Sequence, residues 1–237
     1  HDAMLSEPRS PLAASGLNSG WFEGRDYEYV RRFTPGRELV GHRMLLEFEG
    51  VYHDAEVWVN GEKRAFRPYG YTNFYVDLTG CVRVGESNEI RVVARNADQP
   101  NSRWYSGAGI YRPVVLWTAP SGHITVNGLA ARTISADAAA GRARIAVDVE
   151  TNAVGDVEIM IPEAGVDMVE ACVAGGNTFE IDVENARLWS PEHPDLYRMT
   201  ARFTADGATE SDTASITFGI RTLEWSDSGL LINGSRV

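Results

Sequence analysis

Residues 55–61 read AEVWVNG. Ala55, Val57 and Val59 alternate with Glu56, Trp58 and Asn60, the two-residue period of a strand with one buried and one wet face. Asn60-Gly61 then supplies two residues that tolerate positive φ, the chemistry of a tight hairpin. The pattern recurs along the chain. Ile90, Val92 and Ala94 alternate with Arg91 and Arg95; Ile145, Val147 and Val149 with Asp148 and Glu150; Phe179, Ile181 and Val183 with Glu180, Asp182 and Glu184. Helical spacing is almost absent. Turn residues fall between these runs, at Gly85-Glu86-Ser87-Asn88, Gly175-Gly176-Asn177, Ala205-Asp206-Gly207 and Asn233-Gly234. Short alternating strands punctuated in this way predict an all-β chain of sandwiches or barrels.

The strongest boundary is Ala119-Pro120-Ser121-Gly122, where a long hydrophobic strand stops at a rigid, small-residue joint. Most aromatic residues precede it. A second punctuation mark runs from Leu188 to Tyr197, where Pro191 and Pro194 fix a bend before a strand. Two roles are open to Trp189, a ligand platform and packing at that strand corner; packing is expected, since tryptophan most often contributes buried area. Ala136 to Gly141 reads as a loop, and Leu223 to Val237 as a hairpin-like segment.

Composition excludes several classes of function. Of 237 residues, 43% are hydrophobic and 23% charged, a globular mixture able to bury a core. The net charge of -11 repels phosphate backbones and anionic membranes, and the basic residues are scattered, so neither nucleic acid nor membrane is an expected partner. Apolar runs fall far short of the roughly 20 residues that cross a bilayer. Cys81 and Cys172 suit neither a disulfide framework nor a metal knuckle, and are expected to be reduced and buried. The N-terminal residues lack a basic region followed by an apolar one. A cytoplasmic location is therefore expected, with secretion open because a leader would lie before His1.

Residues 102–114, SRWYSGAGIYRPV, raise the question of a cofactor. Gly107-Ala108-Gly109 opens like a dinucleotide-binding turn, but Arg112 stands where the third glycine belongs, and Pro113-Val114-Val115-Leu116-Trp117 is a strand pattern rather than a helix. No cofactor is implied. The five histidines, His1, His42, His53, His123 and His193, form no ligand spacing, so no metal is implied either. A retaining glycosidase needs two carboxyl groups roughly 5 to 5.5 Å apart. Glu47, Glu49 and Glu56 instead alternate with core positions and are expected on solvated strand faces. Asp77 is expected to accept backbone N–H groups at a strand end. No serine lies in a nucleophile elbow. No residue is therefore assigned a catalytic role. Asn233-Gly234-Ser235 matches a glycosylation sequon, although Asn-Gly is a turn signal in its own right.

What remains is Asn101-Ser102-Arg103-Trp104-Tyr105. Flat aromatic faces, amide and hydroxyl groups and a planar guanidinium are the inventory that binds a sugar ring by stacking and oriented hydrogen bonds. The alternative is that Trp104 and Tyr105 fill a sandwich end while Arg103 pairs with an acid. Arg112 is expected in an ion pair or holding backbone, and Gly107 and Gly109 at special backbone angles.

Several stretches together resemble the non-catalytic front part of glycoside hydrolase family 2, the β-galactosidases, β-glucuronidases and β-mannosidases. They are His1-Asp2; Phe48-Glu49-Gly50-Val51 with Ala55 to Gly61; Tyr69 to Phe74 with Val76-Asp77-Leu78-Thr79; Ser102 to Val114; Leu188 to Tyr197; and Phe218-Gly219-Ile220-Arg221 with Gly229 to Gly234. The resemblance implies a jelly-roll β-sandwich that binds sugar over residues 1–120. An immunoglobulin-like β-sandwich follows over 121–218, then lead-in strands over 219–237 to an absent (β/α)8 catalytic barrel. It places the family's first strand before His1, so one sheet edge of the first domain is expected to be unpaired.

The family's two catalytic glutamates belong to the barrel. The resemblance implies instead that a jelly-roll loop reaches the active site, with Arg103 at the contact position where familiar β-galactosidases and β-glucuronidases carry aspartate. Ser-Arg-Trp-Tyr resembles one branch of family β-galactosidases. Terminal β-galactosides are the implied substrate, and the chain's own catalytic barrel the implied partner; a homo-oligomer stays open. Two other readings stand beside this one, a free carbohydrate-binding module and a structural or adhesion tandem of sandwiches.

Overall fold

The computed structural model describes residues 2–98, 105–227 and 229–236. The chain divides into two compact units, His1–Ala119 and Pro120–Val237. Each is a β-sandwich, the first a jelly roll and the second immunoglobulin-like, with only short 3-10 turns as helix among the described residues.

In the first unit, β1 (Tyr27–Phe33), β7 (Asn88–Ala94), β4 (Ala55–Val59) and β5 (Glu62–Arg67) form one antiparallel sheet in that order. The facing sheet is β6 (Phe74–Asp77), β2 (Arg43–Phe48) and β9 (Val114–Ala119), with β9 at one edge. Two short strands, β3 (Val51–Tyr52) and β8 (Gly109–Ile110), pair at the end of the sandwich. Alternation sorts the side chains. Ala55, Val57 and Val59 are buried with Met44, Leu46, Phe48, Val76, Ile90 and Val92. On the wet face Trp58 lies beneath Arg91, 4.6 Å from the ring centroid, and Lys63, at 5.9 Å. The β4–β5 turn uses positive φ at Asn60 and Gly61, 49° and 87°. Asn60 also ties the turn inward: its Nδ2 donates to the Cys81 carbonyl at 3.0 Å, and its Oδ1 accepts from Glu89 N at 3.0 Å.

The acids divide. Glu56 is paired with Lys63 at 2.7 Å and Arg95 at 3.0 Å on the wet face. Asp77 Oδ1 accepts from Thr79 N at 2.8 Å, a strand-end cap. Glu47 departs from expectation, being only 8% exposed. It faces away from the core, but neutral donors close over it: Asn73 Nδ2 at 2.8 Å and Trp117 Nε1 at 2.6 Å. Burial opposes its charge, yet hydrogen bonds from Asn73, Trp117 and Tyr75 outweigh burial and hold the carboxyl below its ordinary range.

In the second unit, β10 (Ile124–Asp137), β11 (Arg142–Thr151) and β14 (Gly175–Glu184) form one sheet. Its companion is β13 (Val166–Cys172), β12 (Gly155–Ile161), β15 (Tyr197–Ala205) and β16 (Asp212–Phe218). Ile145, Val147, Val157, Ile159, Ile161, Met199 and Phe203 interleave with no exposed surface. Tyr197 accepts the Arg187 N–H on its hydroxyl at 2.7 Å and stacks on Phe218, 5.7 Å between centroids. Trp189 packs against Gly219 and lies 4.7 Å under the Arg221 guanidinium, which fixes the corner before β15. The last strands, β17 (Leu223–Ser226), β18 (Gly229–Ile232) and β19 (Ser235–Arg236), form a small sheet. Of the cysteines, Cys172 is buried and Cys81 half-buried, and both are free thiols.

Ile159→Ala removes three carbons from the fully buried centre of the second sandwich. Denaturant unfolding should show a loss of about 2–5 kcal/mol; a change below about 1 kcal/mol would contradict this placement of the core.

Candidate functional site

The candidate residues sit between β7 and β8, so the geometry begins where those strands end. Asp26 holds the departing side. Its Oδ1 accepts from Asn96 N at 3.1 Å and Ala97 N at 3.2 Å, while its Oδ2 accepts from Arg95 Nη1 at 3.0 Å. Asp2 holds the returning side. Its Oδ1 accepts from Ala108 N at 2.8 Å and Met4 N at 3.0 Å, and its Oδ2 accepts the Tyr105 hydroxyl. Ala3 N adds a backbone bond to the Ala108 carbonyl at 2.9 Å. Asn96, 1% exposed, crosses between the sides and donates to the Gly107 carbonyl at 3.3 Å.

Sequence explains the tightness. Gly107 has φ +71°, and a Cβ there would sit 2.8 Å from Asp2 Oδ2. Gly109 has φ +81° and passes against Tyr29, whose hydroxyl accepts from Ile110 N at 3.2 Å. Both glycines are thus required by backbone angle and by close approach. Two anions, each accepting backbone N–H groups, pin a loop at its foot in the manner of charge-assisted caps.

Of the predicted contact residues, Tyr105 is described and Asn101, Ser102, Arg103 and Trp104 lie outside the described residues. Tyr105 leaves 40% of its surface exposed while its hydroxyl is committed to Asp2. It therefore anchors the loop through its phenol and offers part of its ring outward. Burial raises the Tyr105 pKa, and the hydrogen bond and charge of Asp2 raise it further. Neighbouring Tyr27 is pushed up to about 12, chiefly by burial and then by Glu7. Arg112, expected in an ion pair or holding backbone, lies exposed over the Tyr111 ring at 5.7 Å from its centroid. Sequence reasoning missed Asp2, Asp26 and Asn96 as the holders of the loop. Nothing in their spacing signals it, because Asp2 meets Ala108 across 106 positions and Asp26 meets Asn96 across 70.

Among the described residues, these bonds hold backbone in place and bring no nucleophile and base together. A family model described as "Glycosyl hydrolases family 2, sugar binding domain" matches residues 23–120, and one described as "Glycosyl hydrolases family 2" matches residues 124–221. The chain belongs to glycosyl hydrolase family 2. Within the family, it is 41% identical over 128 residues to Beta-galactosidase BoGH2A of Bacteroides ovatus, covering 54% of this chain and 15% of that protein. It is 27% identical over 237 residues to a beta-glucuronidase of Paenibacillus borealis, covering 89% and 39%. The crystal structure of a beta-glycosidase from Bacteroides vulgatus superposes with TM-score 0.85 at 27% identity, covering 100% of this chain and 31% of that one. The chain thus spans well under half the length of these family members.

The phenols make a pH prediction. Tyr27 and Tyr105 hold their protons in the folded chain above the ordinary value of 10.0 at which the unfolded chain releases them. The unfolded state then binds fewer protons, so stability should fall as pH rises from about 10. Urea unfolding at about pH 9 and pH 11 checks the sign. In Asp2→Ala, Tyr105 followed by tyrosine-specific NMR should ionise at lower pH than in the unsubstituted chain. An unmoved titration would contradict the Asp2–Tyr105 bond.

Proposed function

We propose that this chain is the non-catalytic front part of a retaining β-glycosidase, a β-galactosidase that hydrolyses terminal β-galactosides. In this reading a downstream barrel supplies the acid and the nucleophile, and hydrolysis passes through a glycosyl-enzyme intermediate. The first sandwich supports that barrel and sends the 101–105 segment to the rim of its active site, with Arg103 donating to sugar hydroxyls and Trp104 and Tyr105 giving flat faces.

The observation that carries the reading is the pinned loop of the first sandwich. Its foot is fixed by Asp26, Asn96 and Asp2, and it lies inside the part that matches the family's sugar-binding domain. A contact loop fixed at its base loses less freedom on meeting a ligand, which is the use of preorganisation. Galactose is favoured over glucuronate by the Ser-Arg-Trp-Tyr run and by the 41% identity to a protein named beta-galactosidase.

Chromogenic β-galactoside, β-glucuronide and β-mannoside assayed with the full-length gene product test this. The β-galactoside should be hydrolysed fastest. Arg103→Ala should lower kcat/KM for it by about tenfold or more, the loss of one charge-assisted contact. Faster hydrolysis of the glucuronide would overturn the substrate, and no hydrolysis of any would overturn the reading as a whole.

A further inference from the structure

A second feature of the first sandwich lies in the turn between β5 and β6. Tyr69 and Tyr71, in that turn, are 54% and 49% exposed. Their rings meet at 67° with centroids 5.7 Å apart, forming an open corner. The turn that carries them is held firmly. Tyr111 donates its hydroxyl to the Gly70 carbonyl at 2.8 Å, and Arg67 Nη2 donates to Thr72 Oγ1 at 2.6 Å. Asp54 N donates to the Pro68 carbonyl at 3.3 Å. Gly70 presses on the buried Tyr52, where a Cβ would meet the backbone Cα at 3.1 Å. Tyr52 in turn supports Tyr71, 5.2 Å between ring centroids.

Two large rings kept in water on a rigid turn forgo burial that a slack turn would reach by folding back. Polar groups surround them: two phenol hydroxyls, and a guanidinium at the foot of the turn that engages one partner among the described residues. A mixed corner of this kind suits a sugar ring, whose C–H face stacks on an aromatic ring while its hydroxyls take donors and acceptors. The corner is linked through Tyr52 to Ser106, on the described side of the returning segment, since hydrogen bonding with Ser106 and Tyr71 acts on the Tyr52 phenol.

We propose that Tyr69 and Tyr71, with Arg67, form a stacking subsite for a further sugar ring, next to the ring reached by the 101–105 segment. This rests on the sugar-contact reading above, and extends it from a terminal sugar to the ring that follows.

Calorimetric titration of galactose and of a β-linked galactotrisaccharide with hydrolysis-resistant thio linkages into the full-length gene product, with tyrosine NMR shifts, tests it. The trisaccharide should bind more tightly than galactose and shift Tyr69 and Tyr71. Tyr69→Ala with Tyr71→Ala should weaken the trisaccharide by about tenfold, the loss of two stacking faces, and leave galactose unchanged. Phenylalanine at both positions should restore most of the affinity, and far-ultraviolet circular dichroism should show each variant folded. Trisaccharide affinity unchanged in the alanine pair but reduced in Arg103→Ala would overturn the subsite and leave the loop reading intact. No binding of either sugar by the unsubstituted full-length protein would overturn both. Unchanged sugar affinity together with a lower melting temperature of the full-length protein would assign the rings to packing between domains, and so overturn the subsite.

Discussion

One constraint governs the first sandwich: a segment that leaves and re-enters it must satisfy its backbone at the two points where the ladder stops. Here two carboxylates do this. Asp26 takes the N–H groups of Asn96 and Ala97 as the chain departs from β7, and Asp2 takes that of Ala108 as it returns to β8. Asn96 then joins the two sides through the Gly107 carbonyl. If these bonds are removed, the described residues on both sides of the segment, Asn96 and Ala97 before it and Gly107 and Ala108 after it, lose their fixed positions.

Gly107, Ala108 and Gly109 serve the sandwich, through backbone angle and close contact with Asp2 and Tyr29. Tyr105 puts its hydroxyl on Asp2 and leaves part of its ring outside, the face that the proposed reading gives to a sugar. A rigid scaffold with its contact groups on a tethered loop is a common division of labour in binding proteins. The Tyr69–Tyr71 corner follows the same logic, since Gly70 and Tyr111 fix a turn whose rings point away from the core.

Much of the fold was legible in the sequence because period two is a local signal. Ala55, Val57 and Val59 announced a buried face, and Asn60-Gly61 announced its hairpin. Family resemblance supplied what periodicity could not, the assignment of the two sandwiches as jelly roll and immunoglobulin-like. Glu47 was misread because alternation says only that a side chain faces away from the core. It cannot say that Trp117 and Asn73, distant in sequence, will close over it. The loop clamp was illegible for the same reason: Asp2 meets Ala108, and Asp26 meets Asn96, across separations that only the fold bridges. Arg112, expected in an ion pair or holding backbone, lies over the Tyr111 face, one of several attractions open to a guanidinium that sequence cannot rank.

The most direct test of the central claim, that the first sandwich contributes the pinned loop to a sugar site, is a crystal structure of the full-length protein with a slowly hydrolysed β-galactoside bound. The account predicts sugar density in contact with residues 101–105, within hydrogen-bond reach of Arg103, with the Asp2, Asn96 and Asp26 bonds retained. A sugar seated in the barrel with no atom of residues 101–105 within about 4.5 Å would contradict it.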